Sequence, residues 1–187
     1  MTWEELEQSC RTCEKCELCR TRTNTVFGVG NRKTGILFVG EAPGEQEDLK
    51  GEPFVGAAGK LFDRFLEAVD IPREDIYIAN ILKCRPPKNR DPLPAEEDAC
   101  IGYLQAQIDL IRPPLVVCLG RIAAMRLIKP DFRITKEHGI WVKKDNYEIC
   151  AVYHPSLLLR DPRRKPEMME DMKLIAQRYA VLKGLGY

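Results

Sequence analysis

The chain has 187 residues, 44% hydrophobic and 30% charged, which suits one folded domain with a full core. Its net charge is +1, so no global field marks a polyanion partner, and any nucleic-acid surface has to be a local patch. The start, Met1-Thr2-Trp3-Glu4-Glu5, is acidic, and no apolar run approaches the ~20 residues of a membrane span. The expectation is a cytoplasmic monomer without a signal peptide or membrane segment.

The eight cysteines stand out, because clusters of them inside a cell bind metal more often than they form disulfides. Cys10, Cys13, Cys16 and Cys19 repeat every three residues among charged neighbours. The run is similar to a ferredoxin ligand run, with a last gap of two residues rather than three. Val26-Phe27-Gly28-Val29-Gly30-Asn31 follows. Its Gly-x-Gly lacks the third glycine of a dinucleotide fingerprint, since Lys33 stands there, so it reads as a turn into the first strand.

Ile36, Leu37, Phe38 and Val39 form an apolar run that stops at Gly40-Glu41-Ala42-Pro43-Gly44. Such a run predicts a strand buried on both faces, and an open α/β sheet takes its ligand at the loop leaving the strand's carboxyl end. Gly59-Lys60 is not a phosphate loop: Phe54 stands where its first Gly belongs, and Leu61 replaces the Ser/Thr. Leu61, Phe62, Phe65, Leu66 and Val69 predict a helix over 57–69. Phe54 precedes it in a Gly/Pro loop, as a core plug or a stacking platform.

A second strand is predicted over 75–82, interrupted near its carboxyl end by Asn80, which either satisfies local backbone or faces the ligand crevice. Residues 83–94 are basic and rich in proline, and a helix follows over 94–112. Cys84 and Cys100 bracket that loop and the first turns of the helix. They are natural partners for two of the N-terminal thiols in a four-thiolate site, for which iron–sulfur and zinc are both chemically suited.

Residues 114–120 predict a third strand and 121–128 its helix; 134–144 reads as a loop and a short strand; 148–153 is the fourth long strand. Cys118 and Cys150 read as core thiols, and His138, without a partner pattern, as a surface residue. His154 ends the fourth strand and is held by Pro155, a position suited to chemistry. Leu157–Leu159 and then Arg160, Arg163, Arg164 and Lys165 either wedge a duplex and grip phosphates or form a solvated turn. A helix over 167–183 closes the chain.

In order and spacing these pieces resemble the iron–sulfur, family 4 uracil-DNA glycosylases of the uracil-DNA glycosylase superfamily, over residues 13 to 179. The match rests on Cys13-x2-Cys16, residues 26–31, Gly40–Gly44 with Glu47 and Asp48, Pro53–Gly56, Asn80–Pro87 and His154-Pro155-Ser156. The resemblance implies a three-layer α/β/α sandwich around a four-stranded parallel sheet. It implies one domain over 1–187, with a cluster-binding segment at about 10–30 and an α/β core over 35–183. It implies a 4Fe–4S cluster on Cys13, Cys16, Cys84 and Cys100, with Cys10 and Cys19 as spare thiols or alternative ligands.

The same resemblance implies excision of uracil from single- and double-stranded DNA, leaving an abasic site. Gly40, Glu41, Ala42, Phe54, Asn80 and His154 would form the uracil pocket, with Phe54 stacking on the base, Asn80 reading its edge and His154 donating to O2. In the best-known members of the superfamily a carboxylate at the position of Ala42 orients the attacking water. Its absence leaves the backbone or Glu41 for that role. Glu47 and Asn89 would tie the catalytic loop to the cluster loop. Arg85, Lys88, Arg90, Ser156, Leu159, Arg160 and Arg163 would contact DNA. A related group that links covalently to uracil-DNA uses a His in an inserted basic loop, and residues 84–90 contain none. A catalytically silent iron–sulfur DNA-binding homologue is the other alternative.

Overall fold

The computed structural model describes residues 1–186. In chain order its elements are α1 (Trp3–Arg11), a 3-10 turn (Glu17–Arg20), β1 (Val29–Gly30), β2 (Ile36–Gly40), α2 (Glu45–Lys50), α3 (Ala57–Ala68) and β3 (Tyr77–Asn80). After these come α4 (Pro94–Ile111), β4 (Leu115–Leu119), α5 (Arg121–Leu127), α6 (Ile134–Glu137), β5 (Val142–Lys143), β6 (Glu148–Val152), α7 (Pro155–Arg160) and α8 (Lys165–Gly184).

The strands form one sheet in the order β1-β3-β2-β4-β6-β5. The four predicted strands are its parallel centre, β3-β2-β4-β6. The sheet is nonetheless mixed and six-stranded, because β1 and β5 add antiparallel edges. Each edge strand is only two residues long and exposed; β5 falls where a short strand is expected within 134–144, whereas β1 carries no buried apolar run to announce it. Residues 29–30, read as part of a turn, are the first of these edges. The central strands carry Val, Ile and Leu on both faces because both faces are covered.

Alternation along the strands sends Ile36, Phe38, Ile78, Val117 and Val152 to one face, where Phe62, Phe65, Leu66, Leu158, Met172 and Ile175 of α3, α7 and α8 pack. Leu37, Val39, Ala79, Val116 and Ala151 point to the other face, against Leu104, Ile108 and Ile111 of α4 and Ala123 and Ala124 of α5. This is the expected three-layer sandwich. A third cluster, Leu6, Cys10, Leu18, Phe27, Leu82, Cys84, Cys100 and Tyr103, fastens the N-terminal segment to α4. Neither α1 nor α2 is foreseen from periodicity. α1 is closed by a capping box: the Thr2 hydroxyl accepts from Glu5 N (3.2 Å) while the Glu5 carboxylate accepts from Thr2 N (2.7 Å).

β2, β3, β4 and β6 run parallel, so the loops after Gly40, Asn80, Leu119 and Val152 emerge on one side of the sheet. Phe62 is fully buried under this edge, with its ring centroid 5.0 Å from Phe38 and 5.7 Å from Phe54. Phe62→Ala is expected to cost ~3–5 kcal/mol, a large share of a typical ~5–15 kcal/mol stability. Urea denaturation of the two proteins checks this.

Candidate active site and thiol centre

A cleft of about 330 Å³ opens at that edge, and Glu41, Ala42, Gly44, Glu47, Phe54, Asn80, Asn89, Arg90, His154 and Ser156 are among the residues lining it. Gly40 and Asn80 are direct register partners at the ends of β2 and β3. A Cβ on Gly40 would strike Asn80 Oδ1 and lie 2.8 Å from the Phe54 ring, so glycine is what lets these groups meet. Asn80 is buried, and among the described residues its Oδ1 has no hydrogen-bond partner. A buried acceptor left in that condition costs ~1–3 kcal/mol unless a ligand meets it.

Phe54 has φ +52, a left-handed conformation rare for an aromatic residue and worth ~1–3 kcal/mol of strain. Its surroundings hold it there. Glu47 Oε1 accepts from Val55 N (3.0 Å) and Gly56 N (2.8 Å), and Arg73 donates to Pro53 O (2.8 Å). A Cβ on Gly59 would overlap the Phe54 carbonyl, which is how α3 comes so close beneath the loop. The Phe54 ring lies 5.7 Å from the His154 ring, tilted by 33°.

His154 caps α7 with its own side chain: Nδ1 accepts from Ser156 N (3.1 Å) and lies 2.7 Å from Ser156 Oγ. A backbone N–H can only donate, so Nδ1 carries no proton and the neutral ring holds its hydrogen on Nε2. Burial, and after it Arg160, pushes the His154 pKa down to about 4, with Glu47 opposing. Burial and then Asp91 push Glu41 up to about 7 against Arg121, so near neutrality it exchanges between carboxylate and acid.

On the far side of the Pro86–Arg90 loop, Cys10, Cys13, Cys16, Cys84 and Cys100 line one recess with Arg22, Leu18, Leu82 and Tyr103. Arg22 donates to Cys13 O (2.7 Å) and to Cys84 Sγ (3.4 Å); Lys83 N donates to Cys100 Sγ (3.3 Å). No disulfide links the eight cysteines. Cys118 and Cys150 are buried in the core as expected.

A model of the "Uracil DNA glycosylase superfamily" matches residues 27–175. Type-4 uracil-DNA glycosylase from Archaeoglobus fulgidus is 47% identical, over 93% of this chain and 92% of its own length. The type-4 enzyme of Sulfurisphaera tokodaii is 42% identical over 93% of this chain and 83% of its own. That of Thermotoga maritima is 44% identical over 84% and 83%. The chain belongs to the type-4 family of uracil-DNA glycosylases.

For a family of this kind the recess is chemically suited to an iron–sulfur group, with several thiols, N–H donors aimed at two sulfurs and a buried apolar wall. Among the described residues no three His, Cys, Asp or Glu side chains converge so as to hold a single ion. The same set of residues shows no helix long and apolar enough to cross a membrane.

Glu47 braces the Phe54 loop, and Asn89 Oδ1 accepts from Arg85 Nε (2.7 Å); the hydrogen bonds of each stay within its own side of the cleft. Ser156 is turned toward His154. Arg90 forms a two-pronged pair with Glu96 (2.6 and 3.0 Å), and Arg163 pairs with Asp161 (2.7 Å). Lys88 and Arg160 are exposed, and so is Leu159, while Arg85 is half-buried.

His138 is not the surface residue expected. Its Nδ1 lies 2.6 Å from Asp171 and its Nε2 3.2 Å from Glu167, and its ring lies 4.8 Å from Tyr153. Those partners come from α8 and the end of β6, where no local pattern shows them. Lys83 and Gln107, both buried, also escaped the sequence reading. Gln107 could have been found: it is the polar member of the otherwise apolar 103, 104, 107, 108 and 111 stripe of α4.

Because the folded pKa of His154 lies below its ordinary 6.5, the contribution of this group to stability is present above pH 6.5 and is lost as pH falls through about 4. Urea midpoints of wild type and His154→Gln, compared at pH 7.5 and pH 4.5, are expected to show a smaller acid loss in the variant.

Proposed function

We propose that this chain hydrolyses the N-glycosidic bond of uracil in single- and double-stranded DNA and leaves an abasic site. The type-4 relatives support uracil excision in DNA repair. The observation that carries the reading is the buried, unpartnered Asn80 Oδ1, set between Gly40 and the Phe54 ring.

Uracil in a stacked strand is out of reach and has to be turned out into the cleft. Phe54 then offers its face to the base. Asn80 Oδ1 accepts from uracil N3–H, and its amide N–H donates to O4. Cytosine presents a lone pair at N3 and an amino group at C4, so both contacts become repulsive and the buried acceptor stays unpaired. Gly40, Ala42 and the backbone of their loop complete the pocket wall.

As the bond breaks, negative charge gathers on the leaving uracil. His154, neutral and protonated on Nε2, donates to O2, and Ser156 fixes that tautomer. Ala42 offers no base, so Glu41, partly ionised near neutrality, takes the proton of the attacking water. Lys88, Arg85, Arg160 and Arg163 grip phosphates, and Leu159 fills the gap left in the stack. Arg90, its charge balanced by Glu96, shapes the rim of the cleft rather than gripping phosphate.

Cys13, Cys16, Cys84 and Cys100 would hold a 4Fe–4S cluster, with Cys10 as a fifth thiol behind them. A bound cluster would crosslink the N-terminal segment through Cys13 and Cys16, the chain entering the Pro86–Arg90 loop through Cys84, and α4 through Cys100. Hydrolysis moves no electrons, so this role is structural. Purified protein is expected to contain iron and labile sulfide at about four each per chain. Cys84→Ser should lose most of both, and the check is metal and sulfide analysis beside the melting temperature.

Incubation with a labelled strand carrying one uracil, then alkali, tests the activity. Wild type should give scission at that position. His154→Ala should be slower by ~10²–10³, the usual cost of losing an oxyanion donor, and Asn80→Ala should fall comparably. No scission from folded, iron-containing protein would overturn the reading.

The wild-type single-turnover rate should rise with pH through about 7 as Glu41 ionises, and Glu41→Gln should flatten this limb at a reduced rate. His154, neutral throughout that range, should add no step near 6.5.

A further inference from the structure

Lys83 is almost completely buried, at 1% exposure, yet none of its partners is a carboxylate. Its Nζ donates to Gln107 Oε1 (2.7 Å), Phe27 O (3.1 Å) and Asn80 O (3.1 Å). Three acceptors match the three N–H bonds of an ammonium; a neutral amine has only two to give. Burying a cation among neutral oxygens costs several kcal/mol, whereas methionine would fill the same space at no such cost. That expense has to be set against what the ammonium holds in place.

It holds the end of β3. Asn80 N–H and side chain belong to the sheet edge and the cleft, and the Asn80 carbonyl is the group that Lys83 takes. The next two amides, Ile81 N and Leu82 N, return to Gly40 O (2.9 Å) and Glu41 O (3.0 Å). The backbone on which the Asn80 amide swings is thus fixed from both sides, by the β2 loop and by the ammonium. Lys83 is also tied to the thiol centre through its backbone: Lys83 N donates to Cys100 Sγ, and Cys84 follows it in the chain. Gln107 is held in turn, donating to Phe27 O (2.9 Å) and Tyr77 Oη (3.3 Å).

We propose that Lys83 is a positioning residue for base recognition, acting through the Asn80 backbone and joining the thiol centre to the uracil pocket. This rests on the proposed uracil excision. A residue that works only through Asn80 has nothing further to lose once the Asn80 amide is gone, and this separates positioning from general support of the fold.

The test is a double-mutant cycle on iron-loaded protein, with single-turnover excision of uracil and binding of uracil-DNA measured separately. Lys83→Met should slow excision by about 10- to 100-fold, the worth of a charge-assisted hydrogen bond, with DNA affinity held by the phosphate contacts within about threefold. Asn80→Ala combined with Lys83→Met should be no slower than Asn80→Ala alone, within about threefold. Losses that multiply in the double variant, or a Lys83→Met protein that excises at the wild-type rate, overturn the proposal while leaving the glycosylase reading intact.

If Lys83→Met does not fold, Gln107→Leu decides. It removes the shortest of the three acceptors, and a smaller loss that again does not multiply with Asn80→Ala is expected; a wild-type rate overturns the proposal. A wild type without excision overturns the proposed function and the role of Lys83 together.

Discussion

The pairing of Gly40 with Asn80 at the carboxyl edge of the sheet is the contact on which the site depends. Two parallel strands brought into register there place a residue without a side chain beside a buried amide, and only the missing Cβ admits the Phe54 ring above them. Several neighbours keep these three in place. Glu47 and Arg73 hold the strained Phe54 loop, Phe62 fills the space beneath it, and Lys83 takes the carbonyl of Asn80.

The polar groups of this edge are costly where they sit. Asn80 Oδ1 is buried without a partner, Lys83 is a buried cation, His154 is kept neutral and Glu41 is pushed toward protonation. Each would be a defect in a core built only for stability. They gather at one end of a sheet whose interior is otherwise apolar, as the proposed binding and chemistry would require, and the layers of Leu, Ile, Val and Phe on both faces offset their cost.

The thiol centre and the cleft share a wall. Residues 83–90 pass from one to the other: Lys83 and Cys84 face the recess, and Pro86, Asn89 and Arg90 line the cleft. A crosslink at the thiols, as proposed, would stiffen the loop that bounds the cleft.

The sequence by itself determined the layered α/β architecture, because a parallel sheet covered on both faces needs continuous apolar runs such as Ile36–Val39 and Leu115–Leu119, with helical stripes between them. It also pointed to His154, because ligands gather where parallel strands end, left Asn80 open between a local backbone partner and the cleft, and offered Glu41 only through the family resemblance. Only the tertiary structure decided the rest. The β1 edge, read as a turn, exists because β3 offers it hydrogen bonds, not because of its own composition. His138 is drawn inward by Asp171 and Glu167, which lie 33 and 29 residues along the chain. The tautomer of His154 is set by Ser156, two residues along, whereas the meeting of Asn80 with Gly40 and Phe54, and the Phe27 and Gln107 oxygens around Lys83, are facts of distance between segments far apart in sequence. No periodicity encodes them, since hydrogen-bond satisfaction is settled only when the layers close.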